Sequence, residues 1–338
     1  MRLKRWIRDC LVMARLKLNY FKKTRPYQGP LFDAMHQINT RCTQEMIEST
    51  MERAGVYRMC LFARQQDPHD ATLHVEEIQK NIPHKIVMGA PKRFDSREDL
   101  RDDFVRDLVK RMKKPQYQFI GELQLTHADK WPPEWGNERT LRGERWVQAD
   151  APNMMRLARK MACTGKPIYV HWEAYNWARD WPHFDRLFGE NPDTIFVWPH
   201  GGYAKPQYIN EVMLRHRNVY ITISKRDMYY FDHKWRTYRG EDVGSYGLAN
   251  LEWQDQLGSS MLKLNGDIKA EWWYLLRRFP NRVMFAIDAH KMVRWSYYED
   301  AVKNFRMILG ELPEDAAERI AFRTAETLFG PAVIPKDA

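Results

Sequence analysis

The chain has 338 residues, of which 44% are apolar and 29% are charged, and its formal net charge is +10. This length allows two domains or one large α/β barrel with extensions, and the apolar content excludes a disordered chain. No stretch approaches the roughly 18 uninterrupted apolar residues of a membrane span. The 4 cysteines form no CxxC motif, which argues against a disulfide framework or structural zinc and predicts a reducing, cytoplasmic location.

Residues 1–25 hold nine lysines and arginines but only one acidic residue, so most of the net positive charge lies in this segment. Apolar side chains between Leu3 and Leu18 recur at helical spacing, which predicts a basic amphipathic helix within residues 1–28. Such a helix could contact an anionic membrane, or it could pack on its own domain or on a second subunit. We favour packing, because charge patterns of this kind have low specificity. The rest of the chain is nearly neutral, which argues against a nucleic-acid partner.

Beyond residue 28, short apolar runs alternate with longer amphipathic segments, the pattern of repeated β-α units around a parallel sheet. We therefore predict a (β/α)8 barrel of the TIM type over residues 29–332. In such barrels the reactive residues come from the C-terminal ends of the strands. The eight predicted strands are Leu31–Met35, Val56–Ala63, His84–Gly89, Gln118–Leu125, Pro167–His171, Thr194–Pro199, Val219–Ser224 and Arg282–Ile287.

Four of the predicted strands carry, at or near their ends, a residue type that binds metal ions. Glu122 lies on the fourth strand, His171 ends the fifth, His200 follows the sixth and Asp288 follows the eighth. Carboxylates and imidazoles that converge at one end of a barrel are typical of a metal-dependent active site.

The order of these segments resembles the amidohydrolase superfamily, in particular its amidohydrolase-related branch. The resemblance spans residues 30–330 and implies a metal-dependent hydrolase or, as in several relatives, a decarboxylase. The similar motifs are Pro-Leu-Phe-Asp-Ala at the first strand, Gly-Glu at the fourth, Val-His at the fifth, Pro-His-Gly-Gly at the sixth, Phe-Ala-Ile-Asp at the eighth and the closing segment from Glu318 to Gly330.

The first strand departs from the family pattern Asp-x-His-x-His, whose two histidines bind metal. Counted from Asp33, those two positions hold Met35 and Gln37, and His36 falls between them. Successive side chains of a strand alternate between faces, so His36 should point away from the ligand positions unless a bulge shifts it by one residue. On that condition His36 is a further candidate metal ligand.

The resemblance implies that the remaining residues hold one divalent ion. Glu122, His171 and His200 match the ligands of the family's second metal, and this donor set suits zinc, with manganese or iron as alternatives. Asp288 matches the family's general base, which takes a proton from the attacking water and returns it to the leaving group. With no first metal, Asp288 could instead be a ligand, and both roles stay open.

Aromatic and basic residues cluster in the loops near these strand ends. The long insert of about residues 225–269 is rich in Tyr and Trp, which is typical of a functional lid. An aromatic mouth with basic side chains suits a small aromatic or carboxylated substrate. The residues that we expect to contact this substrate are Trp172, Glu173, Lys225, Arg226 and His127.

These observations predict a metal-dependent hydrolase that forms a homo-oligomer and cleaves a C–N or C–O bond of a small molecule. A non-oxidative decarboxylase, in which His200 or Asp288 protonates the product carbon, is the alternative within enzymes. Met35 and Gln37 motivate a third possibility, a barrel that has lost its metal chemistry and serves as a binding or scaffold subunit.

Overall fold

The structure, a computed structural model, describes residues 25–63, 71–90, 101–127, 145–226, 237–238, 241–242, 261–262, 267–289 and 292–331. Eight parallel strands follow one another around a single sheet in chain order, which confirms the predicted TIM-type barrel. The strands are β1 (Leu31–Ile38), β2 (Val56–Ala63), β3 (Ile86–Ala90), β4 (Tyr117–His127), β5 (Ile168–Trp172), β6 (Phe196–Trp198), β7 (Val219–Thr222) and β8 (Val283–Met284).

The seam between β8 and β1 is closed by the residues that follow β8. The backbone N–H of Ala34 donates to the carbonyl of Phe285 at 2.9 Å, and that of Asp288 donates to the carbonyl of Met35 at 3.0 Å. The Asp33 carboxylate also accepts the N–H of Ile287 at 3.1 Å. These bonds fix the backbone of Asp288 beside the end of β1.

Most helices cover the outside of the sheet, whereas the last described helix contributes Ala325 to the core inside the barrel. Helix ends follow local sequence signals. The first helix begins after Thr43, whose hydroxyl accepts the N–H of Met46, and it ends at Gly55 in the left-handed region. The helices are α1 (Gln44–Ala54), α2 (Thr72–Asn81), α3 (Asp102–Met112), α4 (Pro152–Ala162), α5 (Trp177–Gly189), α6 (Pro206–Arg215), α7 (Ala270–Arg278), α8 (Met292–Trp295), α9 (Tyr298–Gly310), α10 (Glu314–Glu318) and α11 (Thr324–Phe329).

Apolar side chains form two cores, one inside the barrel and one between the sheet and the helices. Along β5, Tyr169 belongs to the inner core, whereas Val170 and Trp172 belong to the outer core. Side chains of a strand alternate between faces, so His171 continues the inner face of β5. The inner core fills the barrel up to the strand ends and leaves the polar residues above it at one mouth.

Among the described helices, none has the length and apolar character needed to cross a bilayer. The predicted basic helix at the N-terminus and most of the aromatic insert of residues 225–269 lie outside the described residues. The basic segment of residues 1–28, the possible membrane contact of residues 1–25, the homo-oligomer and the cytoplasmic location stay predictions.

Candidate metal centre

Three of the predicted ligands meet at the ends of neighbouring strands. We call Glu122 on β4, His171 on β5 and His200 after β6 the ligand cluster; all three are buried, and one candidate ligand atom from each lies within 4.8 Å of the others. His171 Nδ1 lies 2.5 Å from Glu122 Oε1, and His200 Nε2 lies 3.8 Å from the same oxygen. The adjacency of β4, β5 and β6 in the sheet produces this convergence.

The ligand cluster fits a divalent cation. Ligand atoms of a tetrahedral ion with bonds of about 2.0–2.2 Å lie about 3.4 Å apart. The 3.8 Å separation of His200 Nε2 and Glu122 Oε1 is close to this spacing. The 2.5 Å separation of His171 Nδ1 and Glu122 Oε1 is that of a hydrogen bond, so these two atoms would move apart by about 1 Å to share a cation.

The second ring nitrogen of His171 is held by Glu173. His171 Nε2 donates to Glu173 Oε1 at 3.0 Å, and the Glu173 side chain is fully buried. Burial by itself lowers the pKa of His171, but the charges and hydrogen bonds of Glu122 and Glu173 outweigh it and raise the pKa above its usual value. A carboxylate on the nitrogen that faces away from a metal is a frequent way to orient a histidine ligand.

A second group of candidate ligands shares His171 with the ligand cluster. It comprises His127, His171 and Glu173. His127 Nε2 lies 3.8 Å from Glu173 Oε1, and the two imidazole rings stack at 5.5 Å. In this group Glu173 contacts Nε2 of His171, whereas in the ligand cluster Glu122 contacts Nδ1. His127 is about one third exposed, so this second group opens toward solvent, whereas the ligand cluster is buried.

His200 lies in a left-handed turn formed by Pro-His-Gly-Gly-Tyr. The backbone φ angles are 59° at His200, 50° at Gly201, 61° at Gly202 and 54° at Tyr203. A non-glycine residue in this conformation costs about 1–2 kcal/mol, so single residues rather than whole turns normally adopt it. A Cβ atom at Gly202 would overlap the carbonyl oxygen of Trp172. The two glycines therefore permit the turn that brings His200 to the ligand cluster.

Residues at the end of β7 and just after it fix the orientation of His200. The Thr222 hydroxyl accepts the N–H of His200 at 3.0 Å, and His200 Nδ1 lies 2.7 Å from Ser224 Oγ. The hydroxyls of Thr222 and Ser224 lie 3.1 Å apart. With Nδ1 held by Ser224, the Nε2 atom of His200 faces Glu122 Oε1 and Asp288 Oδ2, at 3.8 Å from each.

Asp288 is surrounded by positive charge. Lys225 Nζ forms an ion pair with Asp288 Oδ2, and an Arg294 nitrogen lies 3.8 Å from the same oxygen. Burial and the charge of Arg294 lower the pKa of Lys225 to about 7, although Asp288 and Glu122 oppose this shift. Lys225 and Asp288 have φ angles of 57° and 56°, and with His200 and Tyr203 they are the only non-glycine residues of the described chain with positive φ. Backbone strain of this kind is concentrated at functional sites.

Gln37 joins the site although its residue type gave no reason to expect it there. Its Nε2 donates to Glu122 Oε2 at 3.0 Å and to Asp288 Oδ1 at 3.3 Å. Gln37 occupies the position of the second histidine in the family pattern. That position was the one feature of the sequence that could have indicated a place for Gln37 in the site. One amide thus bridges two carboxylates of the site.

A bulge is present on β1, but it lies before His36 and leaves this histidine pointing away from the site. On β1, Asp33 pairs with Met59 and His36 pairs with Leu61, so three steps on β1 match two on β2. The extra residue of the bulge places the side chains of both Ala34 and Met35 in the inner core. Asp33 and His36 consequently share the outer face.

Both ring nitrogens of His36 bind within the protein. Nε2 lies 2.5 Å from Asp33 Oδ2, and Nδ1 accepts the N–H of Ala289 at 3.1 Å. The ring packs against both Trp295 and Tyr298, at 5.1 and 5.3 Å. His36 is in neither group of candidate ligands, and we leave it out of the proposed metal site.

Trp172 and Arg226 lie elsewhere than a substrate-contact role requires. Trp172 follows His171 on β5, faces the opposite side and stacks on Phe184 and Trp198 in the outer core, at 4.1 and 4.7 Å. The guanidinium of Arg226 is fully buried and donates to main-chain carbonyls of the His200 turn. Neither residue lines the mouth of the site.

No family model matches the sequence, and no curated protein matches it. A TIM-barrel protein of Bordetella bronchiseptica superimposes with a TM-score of 0.55 at 14% identity, over 89% of this chain and 98% of that one. A probable 2-pyrone-4,6-dicarboxylic acid hydrolase of Acinetobacter baumannii superimposes with a TM-score of 0.53 at 12% identity, over 89% of this chain and 99% of that one. A dihydroxybenzoic acid decarboxylase of Polaromonas sp. JS666 with bound manganese superimposes with a TM-score of 0.50 at 11% identity, over 89% of this chain and 97% of that one. At these identities the similarity establishes the shared barrel fold.

Proposed function

We propose that this chain is a metal-dependent hydrolase of the amidohydrolase type that acts on a C–N or C–O bond of a small carboxylated substrate. The ligand cluster carries the proposal: one carboxylate and two imidazoles meet, buried, at the strand ends of a TIM barrel. Each imidazole has its other nitrogen held by a separate partner, Glu173 or Ser224. This donor set suits zinc, with manganese or iron as alternatives.

The site residues divide the chemical work among them. A divalent cation in the ligand cluster would lower the pKa of the attacking water toward about 7. Asp288 Oδ2, 3.8 Å from His200 Nε2, is the proton acceptor of the proposed reaction and returns the proton to the leaving group. Lys225 and Gln37 hold the two oxygens of this carboxylate in place.

The substrate class rests on the fold relatives and on the local charges. By their names, the hydrolase and the decarboxylase act on carboxylated ring compounds. Lys225 and Arg294 place two cations beside Asp288, and such cations attract a substrate carboxylate. We therefore propose a carboxylated ring as the substrate.

A non-oxidative decarboxylase is the second candidate, because one relative with this fold is a decarboxylase with bound manganese. In this reaction His200 or Asp288 would protonate the product carbon. Release of CO2 from a carboxylated substrate would identify the decarboxylase. Addition of water without loss of CO2, with a new acid, amine or alcohol among the products, would identify the hydrolase.

Elemental analysis of protein purified without added metal or chelator tests the proposal. We expect about one divalent ion per chain, which a His171→Ala variant should lose. The matched control is His183→Ala, because His183 is a partly exposed histidine that binds Asp150 away from the site. A wild-type chain that holds no metal and does not bind added zinc, manganese or iron would contradict the proposal and favour the scaffold.

A further inference from the structure

We propose that Arg226 is a positioning residue. It holds His200 in its left-handed turn and thereby aims His200 Nε2 at Glu122, its neighbour in the ligand cluster. The inference deepens the proposed function, because it assigns to a buried cation the task of supporting one metal ligand. The inference rests on the proposed function only where zinc affinity is measured; the position of the His200 ring can be tested without metal.

The guanidinium of Arg226 donates hydrogen bonds to three main-chain carbonyls in and next to the turn. Its Nε donates to the His200 carbonyl at 2.6 Å, and one terminal nitrogen donates to the carbonyls of Gly201 and Ala204 at 3.1 and 3.2 Å. The Gly201 carbonyl also accepts the N–H of Ala204 within the turn. The turn does not continue into the hydrogen bonds of a right-handed helix, and buried carbonyls need partners. A planar fork offers several donors in fixed directions, so one guanidinium can bind all three carbonyls and hold them in a fixed arrangement.

Aromatic rings complete the environment of this buried cation. The guanidinium carbon lies 4.8 Å from the ring centre of Trp272 on α7 and 5.6 Å from that of Tyr203. Tyr203 in turn stacks on the imidazole of His200 at 5.0 Å. The faces of aromatic rings attract cations, and the attraction is stronger in a dry environment. Arg226 therefore contacts the turn through its carbonyls and through the ring that packs on His200.

Alternate residues from the last residue of β7 onward hold three different groups of His200. Thr222 binds its backbone N–H, Ser224 binds its ring Nδ1 and Arg226 binds its backbone carbonyl. Two of these contacts fix the main chain on either side of Cα, and the third fixes the ring. Removal of Arg226 should therefore release one end of the residue while the other two contacts remain.

The experiment compares the full-length protein with Arg226→Met, Arg226→Lys and the control Arg278→Met, because Arg278 is an exposed arginine of α7 that binds Asn210. The first readout is the set of imidazole ¹⁵N resonances of metal-free protein, with His200→Asn used to assign His200. The second is zinc affinity from chelator competition, measured well below the unfolding temperature.

We expect Arg226→Met to shift the His200 resonances and to weaken zinc binding by about 10–100-fold, the usual effect of losing a group that supports a metal ligand. Arg226→Lys should fall between wild type and Arg226→Met, and Arg278→Met should match wild type. A residue that serves stability alone would lower the melting temperature without moving either readout.

Unchanged His200 resonances in folded Arg226→Met would overturn the inference, and if that variant does not fold, the same readouts on Arg226→Lys decide. A wild-type protein that binds no zinc would instead count against the proposed function. The resonances of metal-free protein would still test the positioning role, so the two failures are distinguishable.

Discussion

His36 on β1 and His200 after β6 lie in opposite environments, although both are buried histidines near the ends of barrel strands. Both ring nitrogens of His36 are bound by Asp33 and Ala289. His200 Nδ1 is bound to the neutral Ser224 hydroxyl, and its Nε2 faces two carboxylates. The path of the backbone, rather than the residue type, decides which histidine faces the candidate ligands.

Two different backbone irregularities produce this contrast. The bulge at Ala34 and Met35 moves His36 to the outer face of β1 and brings Gln37 to the inner one. The left-handed turn after β6 does the reverse for His200, which it carries into the site. We expect substitutions in the ligand cluster to change metal binding and substitutions around His36 to change stability.

The largest effect should follow the substitution Glu122→Ala, which removes the carboxylate between the two imidazoles. We expect zinc affinity to fall at least a thousand-fold, or about 4 kcal/mol, because a charged ligand and its contact with His171 are both lost. Chelator competition measures this change. Zinc affinity within tenfold of wild type would show that the cation binds elsewhere.

The substitution His36→Leu should change stability and leave metal binding intact. It removes the partner of a fully buried carboxylate, Asp33, so we expect the free energy of unfolding to fall by about 3 kcal/mol. Urea denaturation measures the loss, and zinc affinity serves as the internal control. If zinc affinity fell as steeply as it does for Glu122→Ala, the two histidines would not differ in function.

A smaller effect of the same kind should follow Tyr298→Phe. The Tyr298 hydroxyl donates to Asp33 Oδ2 at 2.8 Å in a buried position, so its removal should cost about 1–2 kcal/mol. Urea denaturation of Tyr298→Phe and of Tyr274→Phe, at an exposed tyrosine, provides the comparison. Equal stabilities of the two variants would show that the network around His36 contributes nothing.

The sequence pattern predicted the barrel well where strands are regular, because buried parallel strands read as short apolar runs. The predicted Val56–Ala63 matches β2, whereas Arg282–Ile287 shrinks to Val283–Met284 because the following residues bind across the seam to β1. Glu122, His171 and His200 were predictable from their order along the chain. Their convergence follows from the adjacency of three strands.

The remaining site residues depend on features that the sequence does not display. Ala34 and Met35 are apolar and fit either face, so nothing marks the bulge that brings in Gln37. The outward orientation of Trp172 was predictable from the sequence, because this residue follows an inward-facing histidine on the same strand. The role of Arg226 depends on carbonyls that converge only after the His200 turn has formed.

A network remote from both histidines should give an effect about as small as that of Tyr298→Phe, and one that depends on pH. Burial by itself raises the pKa of Asp150, but bonds from Gln148, His183 and Arg186 outweigh it and lower the pKa. A carboxylate whose folded-state pKa lies below the unfolded value of about 3.9 stabilises the fold at higher pH and loses this contribution as pH falls through its folded-state pKa.

We therefore expect Asp150→Asn to cost about 1–2 kcal/mol at pH 7 and progressively less at low pH. Urea denaturation at pH 7, 5 and 3 measures this difference between variant and wild type. A difference that does not change with pH would contradict the lowered pKa of Asp150. Zinc affinity at pH 7 should equal that of wild type.

Anomalous X-ray diffraction from crystals that contain zinc or manganese tests the central claim most directly. We predict one strong peak, about 2.0–2.2 Å from a Glu122 oxygen, His171 Nδ1 and His200 Nε2. A peak between His127, Glu173 and His171 Nε2, a peak beside His36, or no peak at all would contradict the assignment of the ligand cluster.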